Sequence, residues 1–516
     1  MPSFSFPQAL GNFSRQARLR ELLLWCLPAL VCGALARGAL LAHFPYGYVH
    51  PDSPDFLVTA DRFLNHHHHF VLHGKKAFLG PILFLLPMMV KIPCLLIVPW
   101  AQHICGLIYT VMVGAIVRCW TALWKWWIVP ATVLAALNPA LLYYEHALIA
   151  ESQYLFCVTA LVLAGSAYAL RETEFRIPHS AFRISPRFIL LLLALLLTAG
   201  SRPEGKLYVL FCLILVPLLL WGQWRRLAIF GGIALAFSMV TWLSTRNTQA
   251  GVLLYATLLP LSPETPKSAP DFGPLIAPLR TERLANGVLS MPNFVREEKR
   301  ITAVVYPYLR AKGLSTKTAG DFCQKLSVEA ARNRPFLLPL VVLDKFLLGT
   351  TSTTNDGFAP DWLQHTQIDS CTYKPWMLKL MPRMTGRPIH SKEDLVAYIR
   401  EEFPPLEPDW FDWLQRVWFF GTTGARIPWP GQVAGTPGIP LFYLLGVAGM
   451  VLGVLRAGPM RKLHIAWAIT LAFAASVVML TGVVNPRYRF VFEPFVLLYL
   501  FVLADGIAAL VIRPKS

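Results

Sequence analysis

From residue 22 onward the chain repeats one pattern: an apolar stretch with no polar face, then a short break rich in Arg, Lys, Trp or Pro. An amphipathic helix of a soluble domain keeps a polar stripe, whereas the stretches 188–199 and 207–221 have none, so they read as helices surrounded by lipid. Runs of this kind fall at 22–44, 95–117, 126–143, 152–170, 187–201, 206–222, 227–245, 437–455, 463–483 and 489–511. They predict an all-α polytopic membrane protein with about ten transmembrane helices. Residues 1–245 form a transmembrane module with its first outer loop at 45–94, residues 246–435 a large insertion between spans 7 and 8, and residues 436–516 the C-terminal helices.

The insertion is polar, rich in Pro and Thr, and mostly helical in its signals. Stretches 295–314 and 319–333 have helical patterns, and Ser391 with Asp394 three residues later predicts a capping box before 395–403. Residues 335–349 are apolar but carry Asp344 and Lys345, which predicts a helix lying at the membrane interface.

Orientation follows from the basic breaks. One set of loops carries Arg118 and Lys125, then Arg171, Arg176, Arg183 and Arg187, then Arg225 and Arg226, then Arg456, Arg461 and Lys462, and finally Arg513 and Lys515. Cations concentrate on the cytoplasmic side, so both termini are cytoplasmic and the insertion faces outward, in a cell inner (plasma) membrane. Trp120, Trp124, Trp126 and Trp127 around Lys125 predict an aromatic belt.

Composition narrows the class. Hydrophobic residues are 55%, charged residues 15%, and mean hydropathy is +0.49, which excludes a soluble enzyme, a disulfide-rich secreted scaffold and a disordered chain. The net charge of +18 would suggest nucleic acid in a soluble protein, but here the excess sits in loops that meet anionic lipid headgroups, and no nucleic-acid motif is present. Of the cysteines, Cys323 and Cys371 alone fall in a polar region. No Walker A or dinucleotide loop occurs, so a pump driven by ATP is disfavoured.

Candidate chemistry gathers at the outer ends of spans. The first outer loop holds His50, Asp52 and Asp55; paired carboxylates there can accept a proton from a hydroxyl or hold a divalent cation, although Pro-Asp-Ser-Pro is also ordinary turn chemistry. The second adds Glu145, His146 and Glu151, the last placed where a helix dipole also favours an acid. Arg202 in the third, and Arg487, Tyr488 and Arg489 in the last, run against the positive-inside tendency; guanidinium suits a lipid phosphate, and snorkelling to headgroups is the alternative. Lys75 and Lys76 would meet headgroups or an anionic substrate. Consecutive His66–His69 cannot converge on one ion, which argues against a closed metal site. The spans read as clean in their middles and no internal repeat is evident, which weighs against a transporter.

These pieces, in this order, resemble the C-type glycosyltransferase superfamily, the polytopic enzymes that use polyprenyl-phosphate-linked sugars. The bacterial branch of protein mannosyltransferases and aminoarabinose transferases is the most similar. The resemblance is carried by His50-Pro-Asp-Ser-Pro-Asp55-Phe, by Leu79-Gly-Pro-Ile-Leu-Phe-Leu-Leu with Gln102-His-Ile-Cys-Gly, by Asn138-Pro through Tyr143-Tyr-Glu-His to Ala150-Glu151, by Arg202-Pro-Glu-Gly, and by Asn485-Pro-Arg487-Tyr-Arg489. It implies Asp52, with Asp55 second, as general base toward an acceptor hydroxyl or amine, with inversion at the sugar. Glu151 would orient the acceptor or a cation, and Arg202, Arg487 and Arg489 would neutralise the departing lipid phosphate. His50, Lys75, Glu145 and Tyr488 would complete the substrate site. The implied partners are a polyprenyl-phosphate sugar donor and a glycan, lipid or protein acceptor; no cofactor is required beyond a possible divalent cation. The chain departs from the mannosyltransferase pattern in reading Asp-Ser-Pro-Asp rather than adjacent Asp-Glu, and in carrying its large segment between spans. A lipid-linked glycan ligase or polymerase, or a lipid or sugar flippase, are the alternative readings.

Overall fold

The computed structural model describes residues 15–49, 53–66, 82–172, 186–219, 248–285, 294–350, 368, 375–403, 409–428, 437–456, 459–481 and 492–512. His50, Asp52, Lys75, Arg487, Tyr488 and Arg489 therefore lie outside the described residues, as do Cys371, His67–His69 and the expected span 227–245.

The N-terminal part is a helical bundle: α1 (Arg15–His43), α2 (Ser53–His66), α3 (Ile82–Met89), α4 (Cys94–Trp120), α5 (Trp124–Ala136), α6 (Pro139–His146), α7 (Glu151–Glu172), α8 (Pro186–Ser201) and α9 (Val209–Leu219). The apolar run 126–143 is not one straight rod. At Leu137-Asn138-Pro139 the missing N–H of Pro139 interrupts the helical ladder, and the Asn138 side chain accepts from the N–H groups of Ala140 and Leu141 to start a second helix. The two pieces meet at a bend of 44°.

Among the described residues five helices are long and apolar enough to cross a membrane: Leu19–His43, Cys94–Trp120, Glu151–Leu170, Met460–Leu480 and Glu493–Ile512. The bent pair α5–α6 makes a sixth. Among the described residues, the apolar helices at Pro186–Ser201 and Leu441–Leu455 are shorter. The stretch from 206 is a 3-10 turn (Pro203–Tyr208) leading into the 11-residue α9, and α8 has 16 residues.

The insertion divides into two regions with different allegiances. Its first region contains α10 (Thr248–Leu258), α11 (Gly273–Ala285), α12 (Phe294–Ala311), α13 (Ala319–Asn333) and α14 (Leu338–Gly349). The first four share a core of their own, around Tyr255, Phe272, Ile301, Val305, Leu309 and Leu326. Gly251 permits it: a Cβ there would collide with the Gly320 carbonyl, so α10 and α13 touch backbone to backbone. Helix α14 packs one face against the rest of the chain. It buries Val341, Asp344, Lys345 and Leu347, and the Lys345 ammonium donates to Thr257 Oγ1 at 2.9 Å.

The second region, α15 (Pro375–Thr385), α16 (Lys392–Glu402) and α17 (Asp409–Phe419), joins the core of the bundle through Leu380, Met384, Leu395, Ile399, Phe403 and Phe411. Its capping box forms as the sequence predicts. Ser391 accepts from the Asp394 N–H, and the Asp394 carboxylate accepts from the Ser391 N–H at 3.0 Å.

A two-residue antiparallel pairing, β1 (Arg426–Ile427) with β2 (Ile439–Pro440), leads into α18 (Leu441–Leu455), α19 (Pro459–Thr481) and α20 (Glu493–Ile512). Gly446 and Gly449 let α18 press against α20, where a Cβ would strike Val496 and the Tyr499 carbonyl. At the end of the bundle that carries Trp120, the Asp505 carboxylate accepts from the N–H groups of Ala122 (3.0 Å) and Leu123 (2.8 Å) and from Arg456 (2.8 Å). Trp120 is therefore not part of a belt: it is buried, donates to Ser166 Oγ at 3.0 Å and packs on His464 and Tyr499. Trp126 is the exposed one, while Trp124 lies beneath the Arg118 guanidinium.

Candidate functional site

At the opposite end, the chain leaving α1 is held by backbone pairing. Gly47 N–H donates to Leu95 O at 2.7 Å, Tyr48 N–H to His146 O at 3.1 Å, and Leu148 N–H back to Tyr48 O at 2.8 Å. Tyr48 and Ala147 thus form a parallel bridge. Position 47 must be glycine, because a Cβ would sit 2.6 Å from Pro99 Cγ and 2.9 Å from the His146 carbonyl. The first loop is therefore fastened, four residues before Asp52 in the chain, to the segment that carries Glu145, His146 and Glu151. Asp55 is half-buried in the first turn of α2, just after the buried Ser53.

Glu151 and Arg202 come together as the sequence suggests, though not in the expected arrangement. Arg202 Nη1 donates to Glu151 Oε1 at 2.8 Å and Nε to Glu204 Oε2 at 3.1 Å, with the guanidinium 5.6 Å from the Tyr154 ring. Arg202 thus bridges the two carboxylates. The turn that supplies it packs tightly on α8, because Gly205 has no Cβ to strike the Thr198 carbonyl. At the same end Glu493 accepts from the Tyr443 hydroxyl at 2.7 Å.

Glu145 does not face a solvent-filled loop. It is fully buried between Arg37 (2.7 Å) and His103 (2.8 Å), and His103 continues to His146 at 3.1 Å. Gln102, next to His103, donates to the Ile149 carbonyl at 2.8 Å. Buried polar and ionisable side chains do occur within the apolar helices, though off their middles: α1 buries Arg37, α4 buries Gln102 and His103, and α19 buries His464 near its start. An arginine inside the apolar run 22–44 and the pair Gln102-His103 inside 95–117 were the available signals, since an ionisable side chain in an apolar helix needs a partner.

The second half of the insertion roofs this end. Tyr46 packs on Tyr398 (6.2 Å) and Phe403 (6.5 Å), and Gly386 adopts positive φ beside Pro93. Among the described residues no three His, Cys, Asp or Glu side chains are grouped to hold a metal ion. Cys323 is a buried free thiol. No protein family, curated protein or solved structure matches this chain.

Proposed function

We propose that the chain is an integral-membrane glycosyltransferase that moves a sugar from a polyprenyl-phosphate donor to an extracytoplasmic glycan, lipid or protein acceptor, with inversion. It has ten spans, both termini in the cytoplasm of a cell whose inner membrane it occupies, and its site at the outward end. The observation that carries this reading is the Tyr48–Ala147 bridge, which fastens the acidic first loop beside the segment leading to the Glu151–Arg202–Glu204 trio.

In this reading an Asp52 carboxylate takes the proton of the acceptor hydroxyl or amine as its oxygen or nitrogen attacks the anomeric carbon. The bond from that carbon to the phosphate oxygen breaks, and the electron pair leaves with the lipid phosphate. Asp55 supports the base. Arg487 and Arg489 meet the departing phosphate, where fixed cations in a water-poor site act most strongly. Arg202 instead positions Glu151 and Glu204 toward the acceptor.

The test is a transfer assay on purified protein with a panel of polyprenyl-monophosphate sugars, beside Asp52→Asn. Donor consumption lost in the variant supports the assignment. Full turnover by Asp52→Asn removes the base, and no consumption of any monophosphate donor by folded protein shifts the reading to a ligase acting on lipid-diphosphate glycans.

A further inference from the structure

Four buried side chains from three helices form a single hydrogen-bonded line that ends on the first loop. Arg37 Nη2 donates to Glu145 Oε1 at 2.7 Å, while its Nη1 is spent on the carbonyls of Ala136 (2.9 Å) and Gly33 (3.2 Å). Glu145 Oε2 lies 2.8 Å from His103 Nδ1. His103 Nε2 lies 3.1 Å from His146 Nδ1, and His146 Nε2 lies 3.0 Å from the Tyr46 carbonyl oxygen. Relative exposures are 2% for Arg37, 0% for Glu145, 3% for His103 and 0% for His146, so water cannot complete an unmade link.

The sense of each link can be worked from the fixed end. A carbonyl oxygen only accepts, so His146 Nε2 carries a proton. The links from Glu145 to His103, from His103 to His146 and from His146 to Tyr46 each need one proton, three in all. An ionised carboxylate brings none, and two neutral imidazoles bring one each. The sum is one short wherever the tautomers are placed. From this count we infer that the line is a proton-binding site, which holds one proton beyond an ionised glutamate and two neutral histidines. The proton belongs to the line as a unit, shared among Glu145, His103 and His146.

Without that proton, two lone pairs face each other across one of the buried links, and the structure must give way at one of them. The terminal link is the one made by the first loop itself, through the Tyr46 carbonyl. Occupancy of the site is thereby tied to the seating of the first loop. The charged and titratable groups around the line are Arg37 from α1, Cys105 and Tyr109 from α4, Tyr48 from the first loop, Tyr143 from α6, and Arg387 with Tyr398 above Tyr46.

The discriminating variant is Glu145→Gln. A glutamine amide accepts from Arg37 through its oxygen and donates to His103 through its nitrogen, which satisfies all three links with neutral imidazoles. It leaves the same net charge as the proton-loaded line. Thermal unfolding is followed in detergent from pH 6 to 10 for the wild type and Glu145→Gln. Unfolded Glu and His have released their protons above about pH 6.5, so the folded wild type holds one more proton there, and its unfolding constant rises up to ten-fold per pH unit relative to the variant. A wild type that loses stability relative to the variant steadily as the pH rises from 6 supports the site. A variant that is destabilised at every pH, with a pH slope equal to that of the wild type, overturns it and reduces Glu145 to the counter-ion of Arg37. Should Glu145→Gln fail to fold, the wild type at pH 8 decides. An imidazolium in the ring-nitrogen NMR spectrum of its 13 histidines, or a protonated-carboxyl infrared band, supports the site, and the absence of both overturns it.

Discussion

Gly106→Ala, on the face of α4 that meets this line, sets two well-known tendencies against each other. Alanine in a helix interior is favoured over glycine by about 1 kcal/mol, so local propensity alone says the change stabilises. A Cβ at 106, however, would sit 2.6 Å from Arg37 Nη2, short of the 3.4 Å of an ordinary contact, and closer still to Glu145 Oε1. Neither atom can retreat freely. The guanidinium is tied to two backbone carbonyls and the carboxylate to His103. Relieving the clash pulls the 2.7 Å pair apart. Separating a buried pair costs about 3–5 kcal/mol. Subtracting the propensity gain leaves a destabilisation of about 2–4 kcal/mol, or roughly a 30- to 900-fold rise in the unfolding constant. Gly38→Ala is the matched control, since nothing lies within 4 Å of its added Cβ. That variant should gain up to about 1 kcal/mol. Chemical denaturation in detergent, followed by circular dichroism, measures both. Equal stability of the two variants would refute the argument that the Arg37–Glu145 pair is rigidly held.

Four further outcomes follow from contacts elsewhere in the fold. Asp505→Ala strips acceptors from the N–H groups of Ala122 and Leu123 and from Arg456, so it should cost about 2–4 kcal/mol and raise protease cutting near 121–123. Ser391→Ala removes an N-cap and should cost about 0.5–2 kcal/mol in α16, read as faster amide exchange at 391–402. The N–H groups of His390 and Ser391 hold the Asp394 carboxyl below its ordinary value of 3.8. The support this carboxylate gives α16 is therefore complete above that pH and lost as pH falls through the lower folded value, and Asp394→Asn should abolish the acid sensitivity of exchange in this helix. In the transfer assay, Arg202→Lys should lower acceptor use more than donor use, because one ammonium cannot bridge Glu151 and Glu204 in the manner of the guanidinium. A loss confined to donor affinity would return Arg202 to the phosphate.

What was legible in the sequence was whatever depends on neighbours in the chain. Long uniform apolar runs foretold α1, α4, α7, α19 and α20, and the Ser391–Asp394 spacing foretold a cap that forms atom for atom. The site was legible in its cast but not in its pairing. Glu151 and Arg202 both looked functional, yet that Arg202 would be claimed by Glu151 and Glu204 depends on the turn at Gly205. The line through Arg37 was hidden for a different reason. Arg37 and Glu145 are 108 positions apart; Arg37 sits in an apolar run whose hydropathy absorbs one charge, and Glu145 falls in the short break that follows another. The bend was hidden too, since hydropathy runs on through Pro139 while the helical ladder breaks there.

The divided loyalty of the insertion bears on how the chain is made. Residues 248–333 have a core of their own and can collapse as soon as they emerge. Helices α15–α17 have no such independence, because their apolar faces are completed by α4, α6 and the segment at Tyr46, all synthesised earlier. Assembly is thus ordered by the ribosome: the N-terminal bundle stands open at one end until some 150 further residues have been added, and the closing piece arrives before α18–α20. Expressed as a separate fragment, 375–419 would present Leu380, Met384, Ile399 and Phe411 to water, so the later insertion behaves as the bundle's last-fitted stopper and not as a detachable domain.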